Sequence, residues 1–422
     1  MTSSSVAVYL GPDHGRWLPR TWQDVVDAAA DGLLDETAWV DLKRELPAAG
    51  GRTHHNTEIA KDLAAMAVDG GMLVIGVADD HSRAGKVTGV GLAGLADRIT
   101  SIAGGKVRPP VSVRCVEIPD PDRPGLGCLL VLIPPSPLAP HMVDSVYWGR
   151  TDKGNERLTD DKVRRIMAAR AAQAGDIVAE LHAFAGRDPF PADRRHNGHL
   201  YLIARPAAGT QEALVPFLTR PGMRQELQKL LGRIAVDVRG HHLPQADTER
   251  RRADGLVLSP HPGRSDFHES GLNDLTLHED GTLTLTNGSL VELRTPHGGS
   301  GDSQHKLVWT PAMLGAIHAV LLLAGRLGDE QIGYQGPWQI GLRIEGLDGA
   351  APIEATQGMD LYLRDVYDRD VYEKTTTAVT AELVTGAHAV VERLVAPLLR
   401  GLLVGNQYLP YTEQTLQNVS RR

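Results

Sequence analysis

The stretch that most constrains the fold is MLVIGV, Met72–Val77, a continuous apolar run with glycines directly before it. An unbroken run of this kind is typical of a strand that is buried on both faces of a sheet. A helix is predicted from about Glu58 to the Gly70-Gly71 pair, because apolar residues recur on one of its faces and glycine commonly follows a helix. The order helix, buried strand and polar turn indicates an α/β unit.

Further segments complete this unit and separate it from the rest of the chain. VSVRCVEI and GCLLVLI are predicted as strands, and VYWGRTDKGNERLTDDKV is predicted as a strand, a turn and the start of a helix. We therefore predict a helical extension over 1–35, an α/β (mixed α+β) module over 36–175, and a second α+β domain over 176–422. In the second domain we expect helices over about 311–325 and 376–404.

Composition excludes several classes of protein. The net charge of −8 argues against a surface that is basic throughout, although it leaves room for a local basic region. The two cysteines, Cys115 and Cys128, lie in apolar runs and predict buried thiols in a reducing cytoplasm. The most apolar window, Ala312–Gly325, is predicted as a buried helix that is too short for a membrane span. A P-loop lysine motif does not occur in the sequence.

Acidic residues mark two candidate positions for chemistry. Glu36 and Asp41 lie five residues apart, and Lys43 follows closely. A strand directs residues i and i+5 to opposite faces, so these two carboxylates converge only if a turn or a helix end intervenes. Asp79 follows the buried strand, where α/β sheets present functional groups. Carboxylate oxygens of this kind are ligands that Mg²⁺ or Mn²⁺ would accept. Alternatively, these carboxylates belong to an ordinary solvated surface.

Five segments in order resemble the Schlafen AlbA-type domain. They are ETAWVDLKREL, EIAKDLAAMAVDGGMLVIGVADD, VTGV, VLIPPSPLAPHMV and VYWGRTDKGNERLTDDKV, within residues 36–170. The resemblance implies nucleic-acid recognition and, in the nuclease branch of the family, metal-dependent cleavage of tRNA-like RNA by three carboxylates. The matching positions here are Glu36, Asp41 and Asp79, with Lys43 near the scissile phosphate. Asp41 stands where the family usually has Glu, and Leu42 stands where it has an aromatic residue.

Basic side chains in the same module are candidates for contacts with a nucleic-acid backbone. The predicted residues are Lys61, Lys106, Arg108, Arg150 and Lys153. Arg150 follows Tyr147 and Trp148, and proteins that bind single-stranded nucleic acids use such a combination of aromatic and cationic side chains. Alternatively, the two aromatic residues belong to the core of a strand.

Three functions remain open on the sequence. The first is a Mg²⁺- or Mn²⁺-dependent endoribonuclease, with RNA favoured over DNA as partner and a role in defence or stress by analogy. The second is a non-catalytic regulator that binds DNA or RNA through the same surface. The third is an assembly protein, a homo-oligomer built through the second domain. No membrane partner is expected.

Overall fold

The computed structural model describes most of the chain. The described residues are 8, 10–11, 14, 17, 19–46, 52–152, 154–173, 175–208, 212–238, 243–244, 249–260, 268–294, 305–357 and 366–416. The chain forms two compact units. The first comprises Met1–Ala174, Ala207–Gly209 and Gly328–Pro337, and the second comprises the remainder. Both mix helices and sheets, as predicted for an α+β protein.

The first unit contains four helices and ten strands among its described residues. The helices are α1 (Trp22–Ala30), α2 (Arg52–Met66), α3 (Leu95–Gly105) and α4 (Asp160–Gln173). The strands are β1 (Val40–Lys43), β2 (Gly71–Ile75), β3 (Val77–Asp80), β4 (Arg83–Val87), β5 (Val90–Gly91), β6 (Arg114–Pro119), β7 (Leu126–Ile133), β8 (Met142–Val143), β9 (Val146–Thr151) and β10 (Gly154–Arg157).

The buried strand predicted over Met72–Val77 is confirmed, but the chain divides it in two. Strand β2 ends at Ile75, and Gly76 has a φ of +111°. This conformation is one that glycine adopts without a steric cost. It lets the chain leave the main sheet and form the β3–β4 hairpin, which carries Asp79.

The central sheet of the first unit has the order β1-β2-β7-β5, with β6 also paired to β7. Strands β1 and β2 are parallel, whereas β2 and β7 are antiparallel. Apolar residues of α2 and α3 pack on one face, and α1 with the preceding Val8, Leu10 and Trp17 packs on the other. Burial on both faces explains why β2 and β7 are apolar almost throughout.

The second unit contains seven helices and nine strands among its described residues. The helices are α5 (Ile177–Ala185), α6 (Val215–Thr219), α7 (Met223–Asp237), α8 (Thr310–Arg326), α9 (Thr380–Thr385), α10 (Ala387–Gly401) and α11 (Gly405–Tyr408). The strands are β11 (Gly198–Pro206), β12 (Glu249–Arg252), β13 (Gly255–Leu258), β14 (Asn273–His278), β15 (Leu283–Arg294), β16 (His305–Val308), β17 (Pro337–Ile344), β18 (Ala350–Pro352) and β19 (Tyr372–Val379).

A nine-stranded sheet organises this unit. Its main path runs β12-β13-β14-β15-β11-β17-β19, while β16 pairs with β15 and β18 pairs with β16. The helix predicted over 311–325 is confirmed as α8, which packs against β15 and β11. The helix predicted over 376–404 is wrong at its start. The β-branched residues Thr375–Thr377 belong to β19, and Gly386 separates α9 from α10.

The apolar helix of the second unit is longer than its sequence window suggested. The helical stretch Thr310–Ile332 has 23 residues with a mean hydropathy of 1.5, which passes a length and composition test for a membrane span. Within this stretch, 83% of the most apolar window is buried in the protein. This burial is what a core helix requires.

Candidate functional site

Asp41 is buried at the centre of the candidate site. It lies on β1 beside Leu73 of β2, and only 5% of the residue is exposed. Its Oδ1 atom is 2.9 Å from Nη2 of Arg150, and its Oδ2 atom accepts a hydrogen bond from Nζ of Lys43. A buried carboxylate requires such partners, because an uncompensated charge in the interior is costly. Both oxygens of Asp41 are therefore engaged by cations.

Arg150 does not present its guanidinium to solvent. Its side chain is 6% exposed, and Nη2 also lies 3.3 Å from the carbonyl oxygen of Thr37 and 3.2 Å from that of Val40. The same side chain donates to Asn155 at 3.3 Å. The sequence predicted a nucleic-acid contact for Arg150. The guanidinium is instead held inside the domain by Asp41 and by the chain that enters β1.

Asp62 joins this group although the sequence reasoning missed it. It lies on α2 and is 5% exposed, with Oδ1 accepting from Nδ2 of Asn155 at 2.6 Å and Oδ2 3.4 Å from Nζ of Lys43. A signal was present, because Asp62 falls three residues after Ile59 and four before Met66 on the apolar face of the helix. We call Asp41, Lys43, Asp62 and Arg150 the charge cluster.

Burial alters the protonation of the charge cluster. It raises the pKa of Asp62 to about 6, with a further contribution from the negative charge of Asp41. For Lys43, burial lowers the pKa, but the charges of Asp62 and Asp41 outweigh it and leave the pKa raised. Lys43 therefore stays protonated at neutral pH, while Asp62 titrates much closer to neutrality than an ordinary aspartate.

A turn brings Glu36 back to β1, as the sequence analysis required. The backbone N–H groups of Trp39 and Val40 donate to Oγ1 of Thr37, both at 3.1 Å. Oε1 of Glu36 then accepts from the N–H of Leu42 at 3.1 Å. The convergence of Glu36 with the strand that carries Asp41 is thus achieved by the main chain between them.

The β3–β4 hairpin brings Asp79 to the same part of the unit. We call the region around Glu36, Asp41 and Asp79 the corner. The N–H of Glu36 donates to the carbonyl of Ser82 at 3.0 Å, and the N–H of Ser82 donates to Oδ1 of Asp79 at 2.7 Å. Burial raises the pKa of Glu36, and the neighbouring charges of Asp41 and Asp79 raise it further. The N–H of Leu42 and the charge of Lys43 lower the pKa, but they do not cancel the increase. Glu36, Asp41 and Asp79 therefore lie within electrostatic reach of one another.

The carboxylates of this corner differ in what they leave available to a metal. No group of three or more His, Cys, Asp or Glu among the described residues is arranged to hold an ion. Within those residues, Glu36 and Asp79 each use one oxygen in a hydrogen bond and leave the other without one. Mg²⁺ commonly binds through one or two carboxylates plus water and phosphate oxygens. Glu36 and Asp79 therefore each retain an oxygen that could accept a further bond.

The other predicted basic residues lie around α2 and α3. Nζ of Lys61 is 2.7 Å from Oε1 of Glu58 and 4.8 Å from the centre of the Trp148 ring. Nζ of Lys106 is 3.4 Å from Oγ1 of Thr57. These two lysines are half-buried and therefore partly accessible.

Arg108 is the most accessible of the predicted basic residues that the structure describes. It is exposed, and its guanidinium donates to the backbone carbonyls of Gly104 and Val107 at 3.2 and 3.0 Å. These contacts involve no carboxylate, so the positive charge is not neutralised by them. Lys153, also predicted as a contact, lies outside the described residues.

Comparison with known proteins agrees with the motifs. Residues 36–159 match the family model described as Schlafen, AlbA_2. The chain carries a Schlafen AlbA_2-type domain. This confirms the resemblance drawn from the sequence, and it points to a nucleic-acid-related function. The match covers less than a third of the chain and lies within the first unit.

The remaining comparisons add no functional information about the Schlafen AlbA_2-type domain. No curated protein matches the chain. Among solved structures, the DIP2311 protein from Corynebacterium diphtheriae is 13% identical, with a TM-score of 0.22. The alignment covers 94% of this chain and 63% of that protein, so the chain spans less than two thirds of the length of DIP2311. A similarity at this TM-score supports no argument about fold or function.

The burial of Arg150 predicts a large effect on stability. Arg150→Met leaves Asp41 with Lys43 alone and removes the donor to Thr37 and Val40. Breaking a buried ion pair in this way should lower the free energy of unfolding by about 3 kcal/mol. Arg164→Met is the matched control, because Arg164 forms an exposed pair with Asp160 and should change stability by less than about 1 kcal/mol. Equal urea-unfolding curves for the two variants would contradict the structural role of Arg150.

The raised pKa of Asp62 predicts a specific pH dependence. The folded state binds this proton more tightly than the unfolded chain, so the stabilising contribution is fully present below about pH 4 and is lost as the pH rises through about 6. In Asp62→Asn this group no longer titrates. The difference in unfolding free energy between the wild type and the variant should therefore change between about pH 4 and 6 and level off above this range. Parallel pH profiles in urea unfolding would exclude the raised pKa.

Proposed function

We propose that the Schlafen AlbA_2-type domain binds RNA and hydrolyses its phosphodiester bonds with Mg²⁺ or Mn²⁺ held by Glu36 and Asp79. The observation that carries the proposal is the hydrogen bonding of Glu36 and Asp79 to one residue, Ser82, while the Glu36 carboxylate also accepts from Leu42, next to the buried Asp41. The pKa of Glu36 is raised first by burial and then by the charges of Asp41 and Asp79, and a cation at this position would relieve that repulsion. The family match supports nucleic acid as the substrate class.

The residues of the corner would have different functions in the proposed reaction. A divalent cation bound there would polarise the scissile phosphate and lower the pKa of a coordinated water. Asp41 and Asp62 hold the ammonium group of Lys43 in a fixed position. Lys43 is 30% exposed and stays charged, so it is suited to stabilise negative charge that develops on the phosphate. In this proposal Asp41 positions Lys43 and is not itself a ligand.

A basic edge would bind the RNA backbone away from the corner. Arg108 is exposed, and Lys106 lies next to Thr57 near the start of α2. Arg98, whose guanidinium donates to Oδ1 of Asn56 at 2.7 Å, adds a further positive charge beside the same helix. Binding through such groups releases counterions and therefore weakens as salt rises. RNA rather than DNA, and tRNA-like RNA in particular, is proposed from the family resemblance.

Cleavage of total tRNA and of a single-stranded DNA, each with Mn²⁺, Mg²⁺ or EDTA, tests the proposal. Glu36→Gln and Asp79→Asn should each lower the RNA cleavage rate by about a hundredfold or more, because each removes a metal ligand. Asp80→Asn is the matched control, since Asp80 is exposed on the same hairpin and pairs with His81. It should cleave at the rate of the wild type.

A second readout separates metal binding from catalysis. Electron paramagnetic resonance of added Mn²⁺ should show binding to the wild type and to Asp80→Asn, and much weaker binding to Glu36→Gln and Asp79→Asn. Full RNA cleavage by Glu36→Gln, or cleavage that persists in EDTA, would contradict the assignment.

The alternative is a regulator that binds DNA or RNA without cutting it. It is favoured by one observation, the occupation of both Asp41 oxygens by Lys43 and Arg150. This function predicts salt-dependent binding with no fragments under any metal condition and no effect of EDTA.

The cellular setting is a separate proposal, drawn from the two cysteines. Cys115 and Cys128 are free thiols, and burial raises their pKa values to about 11 and about 12. Such inert thiols suit a reducing cytoplasm. A role in defence or stress is proposed from the family resemblance alone. Homo-oligomerisation through the second unit is proposed as well, and light scattering of the full chain would measure it.

A further inference from the structure

The large sheet of the second unit has two faces of opposite character. Where β14 and β15 pair, leucines alternate with polar residues, and Leu275, Leu277, Leu283 and Leu285 are fully buried on the face that carries α8. The other face carries Thr276, Thr284 and Thr286, each less than a tenth exposed. Thr276 pairs with Thr284 across the strands. A strip of hydroxyl groups is therefore buried on this second face.

Helix α5 covers only part of that face. Leu181 and Ala185 of α5 pack on Tyr201 and Ile203 of β11. Ile203 lies beside Thr284 in the register of the sheet. Beyond α5, over β12 to β15, lies a cavity of about 570 Å³. This volume falls within the range of about 300–1,000 Å³ that is typical of small-molecule sites.

The floor and the rim of this sheet cavity offer different chemistry. Within the described residues, the hydroxyls of Thr276 and Thr286 make no hydrogen bond, so both are available to a ligand. Arg187 follows α5 at the rim and is exposed, with no ion pair among the described residues. Arg252 also lines the cavity, 4.0 Å from Asp274. Guanidinium groups bind phosphate strongly, since two N–H groups match two of its oxygens.

His278 supports a ligand that carries hydroxyl groups as well as phosphate. Its Nε2 atom lies 3.0 Å from Oγ1 of Thr284, and Nδ1 lies 3.6 Å from Oδ2 of Asp254. Burial lowers the pKa of His278, and the positive charge of Arg187 lowers it further. The carboxylates of Asp280 and Asp254 raise the pKa, but they do not offset the effect of burial. A neutral imidazole and the carboxylates of the lining exchange hydrogen bonds with the hydroxyls of a sugar.

We infer that the sheet cavity binds a phosphorylated sugar, with the phosphate on Arg187 and Arg252 and the sugar hydroxyls over Thr276 and Thr286. A free sugar phosphate and a nucleoside monophosphate share this chemistry. The lining residues all belong to the second unit, so this inference does not rest on the proposed RNA cleavage.

Isothermal titration of the full chain tests the site with ribose 5-phosphate, AMP, adenosine, ribose and inorganic phosphate. We expect ribose 5-phosphate and AMP to bind, and adenosine and ribose not to bind measurably. Inorganic phosphate should bind about tenfold or more weakly, because it lacks the sugar. Whichever of ribose 5-phosphate and AMP binds more tightly shows whether the cavity prefers a free sugar phosphate or a nucleoside monophosphate.

Two variants and two controls assign any binding to the cavity. Arg187→Ala and Thr276→Val should each weaken it about tenfold. Arg194→Ala and Thr376→Val change matched side chains of the same unit away from the cavity lining and should leave it unchanged. Arg187 is exposed, so its loss leaves the fold intact. The inference is overturned if no phosphorylated ligand binds, if adenosine binds as tightly as AMP, or if both cavity variants bind like the wild type.

Discussion

The burial of the Asp41 carboxylate is the constraint on which the candidate site of the first unit depends. A negative charge inside β1 is tolerated because Lys43 and Arg150 each bind one of its oxygens. Arg150 also binds the carbonyls of Thr37 and Val40, so the group that neutralises the carboxylate also fixes the chain that enters the strand. That chain carries Glu36. The position of the half-buried Glu36 therefore follows from the pairing of the buried Asp41 with Arg150.

This arrangement gives acidic residues of one corner two different roles. Asp41 and Asp62 face cations and an amide, and they keep Lys43 charged and in place. Glu36 and Asp79 are tied by backbone N–H groups through one oxygen each, which leaves acceptor capacity for a hard cation. Of the three acids in the sequence motif, Asp41 holds a lysine, whereas Glu36 and Asp79 are the two that we propose as metal ligands. Asp62 also holds the lysine, although it is not in the motif.

Local signals in the sequence predicted much of the fold. The apolar run predicted β2, and the geometry of a strand predicted the turn between Glu36 and Asp41. The burial of Arg150 could not be predicted in this way, because its partner Asp41 lies more than a hundred residues away in the chain. The long helix predicted from about residue 376 was wrong because helical periodicity extends across Gly386, while the β-branched residues before it pair in the sheet. The sheet cavity had no sequence signal, since its lining comes from four separate stretches of the chain.

We propose that Glu36 and Asp79 bind the metal while Asp41 remains with Lys43 and Arg150. Anomalous X-ray diffraction from crystals of the full chain grown with Mn²⁺ measures this directly. We expect an anomalous peak bonded to carboxylate oxygens of Glu36 and Asp79, with both Asp41 ion pairs intact. A peak bonded to Asp41 with Lys43 displaced, or no peak at this corner at saturating Mn²⁺, would contradict it.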